Sequence, residues 1–191
     1  MKALLNRRLL AVGQYLFFLL AAVLLLPPLG RYGSRVYGRF RDRAVWREYR
    51  QDPARPARPG DPGGWLTVPA AGIDRPVFWG DTRENLLRGP CLVEPPSAGP
   101  GNLRVISAHR DLDFRGLEKL SPGDTVRLEL PGAVSQDYRV SEIEILSPAA
   151  AADRLREKAG EDWLVLLTCH PFRYLGPAPR RFLAWAKAAG G

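Results

Sequence analysis

The stretch Trp163–Phe172, which reads WLVLLTCHPF, constrains the fold more than any other part of this sequence. Its apolar run Leu164–Leu167 is typical of a buried β-strand, and Pro171 ends the strand because proline cannot donate to a sheet ladder. Cys169 therefore lies where the strand leaves the core. Two interpretations follow: a cysteine that is held rigidly yet reached by substrate, or a small thiol that packs like an apolar residue.

An uncharged apolar segment near the N-terminus, Leu9–Leu29, has the length of a membrane-spanning helix. A cleaved signal peptide has a shorter apolar region and a small-residue cleavage site, so we expect an uncleaved anchor. The flanking charges disagree about orientation. Lys2, Arg7 and Arg8 favour a cytoplasmic N-terminus, whereas the arginine-rich segment after the span favours the opposite orientation.

The net charge of +8 is concentrated in the first 58 residues, whereas residues 59–191 hold nearly equal numbers of acidic and basic side chains. A nucleic-acid-binding protein is expected to carry its basic surface on the folded domain, so we expect no nucleic-acid partner. Residues 31–58 lie beside the apolar span, where they either bind anionic lipid headgroups or form a solvated spacer.

A proline-rich segment separates this basic arm from the rest of the chain. Between Asp52 and Gly64, proline recurs at every third residue, which favours an extended polyproline II spacer. We therefore predict three regions: a membrane anchor over residues 1–30, a basic arm and linker over residues 31–64, and a folded domain over residues 65–191.

The folded domain reads as short strands separated by turn signals. Gln136–Leu146 changes the parity of its apolar residues, which predicts a β-bulge near Ser141. Ser147-Pro148 predicts the start of a short helix that runs to about Lys158. The predicted strands are Trp65–Val68, Arg75–Phe78, Gly89–Val93, Leu103–Ala108, Thr125–Leu130, Gln136–Leu146, Trp163–Thr168 and Arg181–Ala186. This pattern indicates an all-β domain that forms a closed or nearly closed barrel with one or two short helices.

A cysteine nucleophile needs a partner that favours the thiolate or carries protons, and the chain has two histidines, His109 and His170. Adjacent residues of a strand point to opposite faces, so His170 is poorly placed to serve Cys169. His109 ends its own predicted strand, either beside Cys169 or as an exposed loop residue. Of Arg180 and Arg181, which open the last strand, one is expected to donate to a developing oxyanion and the other to be a surface charge.

These residues, in this order, resemble the motifs of the sortase family. The motif around the cysteine reads Leu166-Leu167-Thr168-Cys169. Further matches are Gly89-Pro90, Ser107-Ala108-His109-Arg110-Asp111, Phe114 with Leu117, Gly123-Asp124 and Cys169-His170-Pro171-Phe172. The departures from residues that are common in the family are Leu166, Cys91, Ala108 and His170. The resemblance covers about Trp65–Lys187 and is greater to the small class D, class E and Gram-negative-type sortases than to class B.

The resemblance implies a closed eight-stranded barrel and a membrane-anchored cysteine transpeptidase whose domain lies outside the cytoplasmic membrane. Cys169 would attack a backbone carbonyl in the C-terminal sorting signal of a secreted protein, and an amine would resolve the thioester. We expect no metal and no other cofactor. Two other functions stay open. One is an L,D-transpeptidase-like cell-wall enzyme, although its Ser-His-Gly-Cys-type signature is absent. The other is a non-catalytic assembly or binding protein on a sortase fold.

The resemblance also gives the predicted site residues. The predicted catalytic residues are His109, Cys169 and Arg181. The predicted substrate contacts are Thr168, His170 and Arg180. The second cysteine, Cys91, is predicted to stay a free thiol, because a bridge would disable the nucleophile.

The choice between the two arginines rests on the turn before them. Both faces of the last strand are apolar, so parity alone does not separate Arg180 from Arg181. Pro179 has a fixed φ and no N–H, which predicts that Arg180 still lies in the turn. Arg181 is also followed directly by two apolar strand residues, as is common in the family.

Overall fold

The computed structural model describes residues 13–24, 26, 42–52, 58–93, 103–132 and 134–189. The chain divides into two compact units, Met1–Arg41 and Asp42–Gly191. In the first unit, residues 13–24 form a helix whose aromatic and leucine side chains are largely exposed. None of the helices in the described ranges combines the length and the hydropathy that crossing a membrane requires. The predicted span Leu9–Leu29 lies partly outside those ranges.

Among its described residues, the second unit contains eight strands, three α-helices and two 3-10 helices. The strands are β1 (Pro62–Val68), β2 (Ile73–Trp79), β3 (Cys91–Val93), β4 (Arg104–Ser107), β5 (Thr125–Leu130), β6 (Val134–Leu146), β7 (Leu164–His170) and β8 (Arg180–Ala188). The helices are α1 (42–49), α2 (Arg83–Arg88), α3 (Pro148–Glu157), η1 (Pro69–Ala71) and η2 (Arg115–Lys119). The strands close into a barrel in the order β1-β2-β3-β4-β7-β8-β6-β5, which confirms the predicted closed eight-stranded barrel. The described part of the predicted domain has two α-helices and two 3-10 helices, where one or two short helices were expected.

Local sequence signals account for several of these elements. The register of β6 against β8 shifts between Val140 and Glu142, where the bulge was expected. Ser147 caps α3, because its hydroxyl oxygen accepts the backbone N–H of Ala150 at 3.2 Å. The helix ends at Glu157, so its predicted length is confirmed.

Several strand boundaries differ from the prediction by one to three residues, among them the starts of β1 and β8. β1 begins at Pro62 rather than Trp65, because Pro62 and Gly64 already pair with β2. Proline is tolerated as the first residue of a strand, so the polyproline pattern does not continue to Gly64. β8 begins at Arg180, one residue earlier than expected. The predicted domain limits at residues 30 and 64 stay predictions.

The first half of β7 lies between two apolar clusters, one on each face of the strand. Leu164 and Leu166 point into the barrel interior, whereas Val165 and Leu167 pack on the outside beneath α3. A strand that is covered on both faces needs a nearly continuous apolar sequence, which explains the run WLVLL. Strand β8 alternates in the same way, with Ala184 inside and Trp185 outside.

A buried lysine joins α3 to the outer face of the barrel. Lys158 follows α3, is only 8% exposed and pairs with Glu142 of β6. Its Nζ lies 4.2 Å from the ring centroid of Trp163 and 4.5 Å from that of Trp185. Cation–π contacts of this kind stabilise a desolvated ammonium group. Lys158 therefore ties α3 to the outer apolar layer at the start of β7.

Helix α1 packs against the opposite part of the barrel. Trp46 and Tyr49 of α1 form a buried cluster with Trp65 of β1. The Trp65 indole N–H donates to Asp74 at 2.6 Å, and Asp74 also pairs with Arg43. Residues 42–52 thus belong to the same compact unit as the barrel.

Candidate active site

Parallel pairing between β4 and β7 brings together the segments that carry His109 and Cys169. The last pair of the ladder is Ser107 with Leu167, and His109 and Cys169 each lie two residues beyond it. Residues at matching positions of neighbouring strands share a face, and on these strands the outer face carries the cluster under α3. Both side chains are half-buried, so each packs partly against protein and is partly accessible to solvent.

Thr168 ties the two strand ends together just before these residues. Its hydroxyl donates to the carbonyl oxygen of Ala108 at 2.7 Å, and the Ala108 N–H donates to Leu167 at 3.3 Å. Thr168 is only 3% exposed and shares its face with the barrel interior. The structure therefore places Thr168 beneath the site as a link between strands. Its predicted contact with substrate stays a prediction.

Antiparallel pairing between β7 and β8 distinguishes the two arginines. Arg181 lies directly opposite Cys169, and Arg180 lies directly opposite His170. Residues directly opposite each other in an antiparallel pair share a face, so Arg181 stands on the face of Cys169. The guanidinium of Arg181 donates through Nη1 to the carbonyls of Ala178 at 3.3 Å and Arg180 at 3.1 Å, which leaves further N–H donors.

The reason first given for preferring Arg181 is wrong. Arg180 does not lie in the turn, because β8 begins at this residue and pairs it with His170. Pro179 lacks a backbone N–H, but the ladder with β7 still begins at the next residue, Arg180. The strand register, and not the length of the turn, places Arg181 beside Cys169.

His170 lies on the other face of β7, opposite Arg180 of β8. Its ring meets Phe172 edge to face, with centroids 5.7 Å apart. Its Nδ1 atom is buried and has no hydrogen-bond partner among the described residues. Burial and, to a lesser extent, the charge of Arg180 lower the pKa of His170, because both disfavour the imidazolium. The structure therefore separates His170 from the face that carries Cys169.

Cys91 is a buried and unbridged thiol. It has no exposed surface, and its Sγ donates to the carbonyl of Gly89 at 3.4 Å. Burial, followed by the negative charge of Asp81, raises the pKa of Cys91 to about 12. Both cysteines are free, as predicted. Within the described ranges, no group of three or more His, Cys, Asp or Glu side chains is arranged to hold a metal ion.

Sequence reasoning missed one residue that the structure places near the site. Arg110 follows His109 and donates through Nη2 to two carbonyls of the β7–β8 loop, those of Tyr174 at 2.9 Å and Gly176 at 3.0 Å. The available signal was a charged residue directly after a candidate histidine. Its partners lie more than 60 residues away in the sequence, so no local pattern could reveal them.

The arrangement is thus a cysteine on β7, an arginine on the neighbouring strand β8 and a histidine two residues after the end of the neighbouring strand β4. The family model for the Sortase domain matches residues 66–189, which include His109, Cys169 and Arg181. The chain belongs to the sortase family. The match covers β1 to β8 almost completely, so the predicted resemblance is confirmed.

Individual sortases show how far this likeness extends. Sortase D of Bacillus subtilis is 28% identical over 129 residues, which are 67% of this chain and 64% of that protein. The matched part therefore spans less than two thirds of that relative. Its name agrees with the prediction that this chain resembles the class D sortases more than class B.

Solved sortase structures share the barrel. Sortase C1 of Streptococcus agalactiae, in a complex with MTSET, is similar with a TM-score of 0.56 at 29% identity, covering 68% of this chain and 70% of that one. Sortase D5 of Clostridium perfringens, described as a transpeptidase, has a TM-score of 0.60 at 22% identity, covering 71% of this chain and 83% of that one. The second likeness concerns the fold alone.

Proposed function

We propose that this chain is a membrane-anchored cysteine transpeptidase that cleaves the C-terminal sorting signal of secreted proteins and transfers the product to an amine. One observation carries the proposal: Arg181 lies opposite Cys169 in the β7–β8 ladder, and His109 and Cys169 each follow two residues after the last pair of the β4–β7 ladder. A nucleophile, a proton carrier and a cationic donor are the groups that acyl transfer through a thioester requires. Membership of the sortase family supports the same chemistry.

Each of the three side chains has one role in the proposed reaction. The Cys169 thiolate attacks a backbone carbonyl, and Arg181 donates hydrogen bonds to the oxyanion that forms. When the tetrahedral intermediate collapses, the C–N bond breaks, and His109 gives its proton to the leaving amine. A thioester to Cys169 remains. An incoming amine attacks it, loses a proton to His109 and releases the thiolate.

The proposed cellular site is the cytoplasmic membrane, with one span over Leu9–Leu29 and the barrel on the outer side. The uncharged span and the exposed apolar side chains of helix 13–24 support the anchor. The basic residues after the span oppose this orientation by the positive-inside rule. However, long domains translocate largely regardless of charge. We therefore propose the outward orientation, which is the one that the secreted substrates of the family favour.

The activity is tested with the full chain in detergent and peptides taken from C-terminal segments that contain a short motif, an apolar span and a basic tail. We expect cleavage and, by intact-mass spectrometry, an acyl adduct that maps to Cys169. An added amine should replace water as the acceptor. Cys91→Ala is the matched control and should keep the activity. Cleavage by Cys169→Ala, or peptide binding without any cleavage by the wild type, would exclude the proposed mechanism.

The anchor is tested by placing charges in the centre of the span. Leu16→Arg with Leu20→Arg costs about 2.5–3.5 kcal/mol per arginine on insertion scales, so we expect the doubly substituted chain to leave the membrane fraction. Leu87→Arg, at an exposed position of α2, is the control and should remain membrane-bound. Equal membrane retention of both chains would refute the anchor.

A further inference from the structure

The loop between β7 and β8, residues 171–179, is joined to the His109 segment by an arginine that the proposed reaction does not use. Arg110 is half-buried, and its Nη2 donates to the carbonyls of Tyr174 at 2.9 Å and Gly176 at 3.0 Å. Its guanidinium carbon lies 6.0 Å from the centroid of the Tyr174 ring. One side chain thus connects the histidine segment with the loop that follows the cysteine strand.

Arg110 holds the tip of this loop, whereas other contacts hold its ends. At the start, Phe172 packs against Phe182 with ring centroids 5.2 Å apart, and at the end the chain enters β8. Among the described residues, both side-chain hydrogen bonds to the tip, residues 174–176, come from Arg110. The Nε of Arg110 is buried without a partner in the described part of the chain. Burying an unpaired N–H is unfavourable, so the bonds to the tip must offset that cost.

The tip presents two apolar side chains to solvent. Tyr174 is 49% exposed, and Leu175 is 98% exposed. Gly176 has a φ of 87°, which favours glycine and turns the chain directly after them. The loop starts directly after Cys169 and His170, and its tip is hydrogen-bonded to Arg110, the residue after His109. A residue that fixes the tip also fixes where Tyr174 and Leu175 stand.

We propose that Arg110 is a positioning residue that fixes the β7–β8 loop, so that Tyr174 and Leu175 form one wall of the substrate site. This proposal rests on the proposed function, because it assumes that a polypeptide substrate binds beside Cys169. Arg110 acts on the loop and not on the thiol. Its loss therefore weakens substrate binding and leaves the reactivity of Cys169 unchanged.

The first measurement needs no substrate. Amide hydrogen exchange of the full chain in detergent reports the opening of the loop tip. In Arg110→Ala we expect exchange at residues 173–176 to be faster by about tenfold, because two hydrogen bonds that oppose local opening are lost. Arg115→Ala, which changes an exposed arginine of η2, is the matched control and should leave exchange unchanged. Unchanged exchange in Arg110→Ala would overturn the proposal.

The second measurement separates binding from chemistry, with the peptide that the wild type cleaves in the assay above. We expect Arg110→Ala to raise KM by about tenfold and to change kcat by less than about twofold. Arg110→Lys keeps a donor and should recover most of the loss. Alkylation of Cys169 by iodoacetamide should keep its rate and its pH profile.

The outcomes separate this proposal from the function on which it rests. A lower kcat or a shifted alkylation profile in Arg110→Ala would show that Arg110 acts through His109, which would overturn the role in the loop. If the wild type cleaves no peptide, the proposed function fails. Hydrogen exchange then still decides whether Arg110 fixes the loop.

Discussion

Replacing Thr168 by valine tests whether the link between β4 and β7 holds the site together. Valine has the shape of threonine but lacks the hydroxyl, so it removes the 2.7 Å bond to the Ala108 carbonyl and little else. Leaving a buried acceptor without its donor costs about 1–3 kcal/mol. For a domain of this size, that corresponds to a melting temperature lower by about 2–10 °C.

The catalytic effect of Thr168→Val follows from the position of this bond. It is one of two bonds between the strand ends just before His109 and Cys169, so its loss leaves only the Ala108 N–H bond to Leu167 and loosens the two strand ends. A displacement of about 1 Å between reacting groups costs on the order of 10²-fold in rate. We therefore expect kcat to fall by about 10- to 100-fold, measured as peptide cleavage at saturating substrate.

Thr168→Ser is the matched control, because serine keeps the hydroxyl and loses only a methyl group. It should keep a kcat within about threefold of the wild type, since the bond between the strands remains. Equal losses of kcat in the serine and valine variants would refute the reasoning, because the methyl group would then matter and not the bond. A raised KM in Thr168→Val with an unchanged melting temperature would instead support the predicted substrate contact.

Three further predictions follow from the site. His109→Ala should abolish most peptide cleavage, whereas His170→Tyr should keep a substantial part, because His170 stands on the other face of β7; the reverse result would contradict the assignment. Iodoacetamide at neutral pH should label Cys169 and spare Cys91 until the protein unfolds, because burial raises the pKa of Cys91 to about 12; rapid native labelling of Cys91 by peptide mapping would disagree. Burial lowers the pKa of His170 in the folded state, so the unfolded chain binds a proton at this residue first as the pH falls. The contribution of His170 to stability should therefore be present above a pH of about 6.5 and be lost as the pH falls below it. Urea titrations at pH values between about 5 and 8 should show that His170→Phe lacks this part of the pH dependence, and identical slopes in both proteins would argue against it.

Local patterns in the sequence predicted much of the barrel. The serine cap of α3, the bulge in β6 and the alternation of β5 each depend on neighbouring residues, and each was recognisable without the fold. The predicted proline-rich linker extended too far, because Pro62 is the first residue of β1, a position where a strand tolerates proline. In that case tertiary pairing with β2 outweighed the local preference.

The site was predictable in its residue types but not in its arrangement. The parallel pairing of β4 with β7 joins segments about 60 residues apart, and no local signal specifies it. Because both faces of β8 are apolar, the sequence pattern did not indicate which arginine faces the cysteine. The choice was based on a wrong inference about the turn, whereas the strand register decides it. The structural roles of Thr168 and Arg110 depend on partners distant in sequence, and only the folded chain shows them.

The paired substitution of the two arginines tests the central claim most directly, namely that the strand register places Arg181, and not Arg180, beside Cys169. Both variants remove the same charge from adjacent residues of β8, so each controls for the other. If Arg181 donates to the oxyanion, Arg181→Ala should lower kcat/KM for peptide cleavage by about 10²–10³-fold. Arg180→Ala should stay within about tenfold of the wild type. A crippled Arg180→Ala beside an active Arg181→Ala would contradict the register-based assignment.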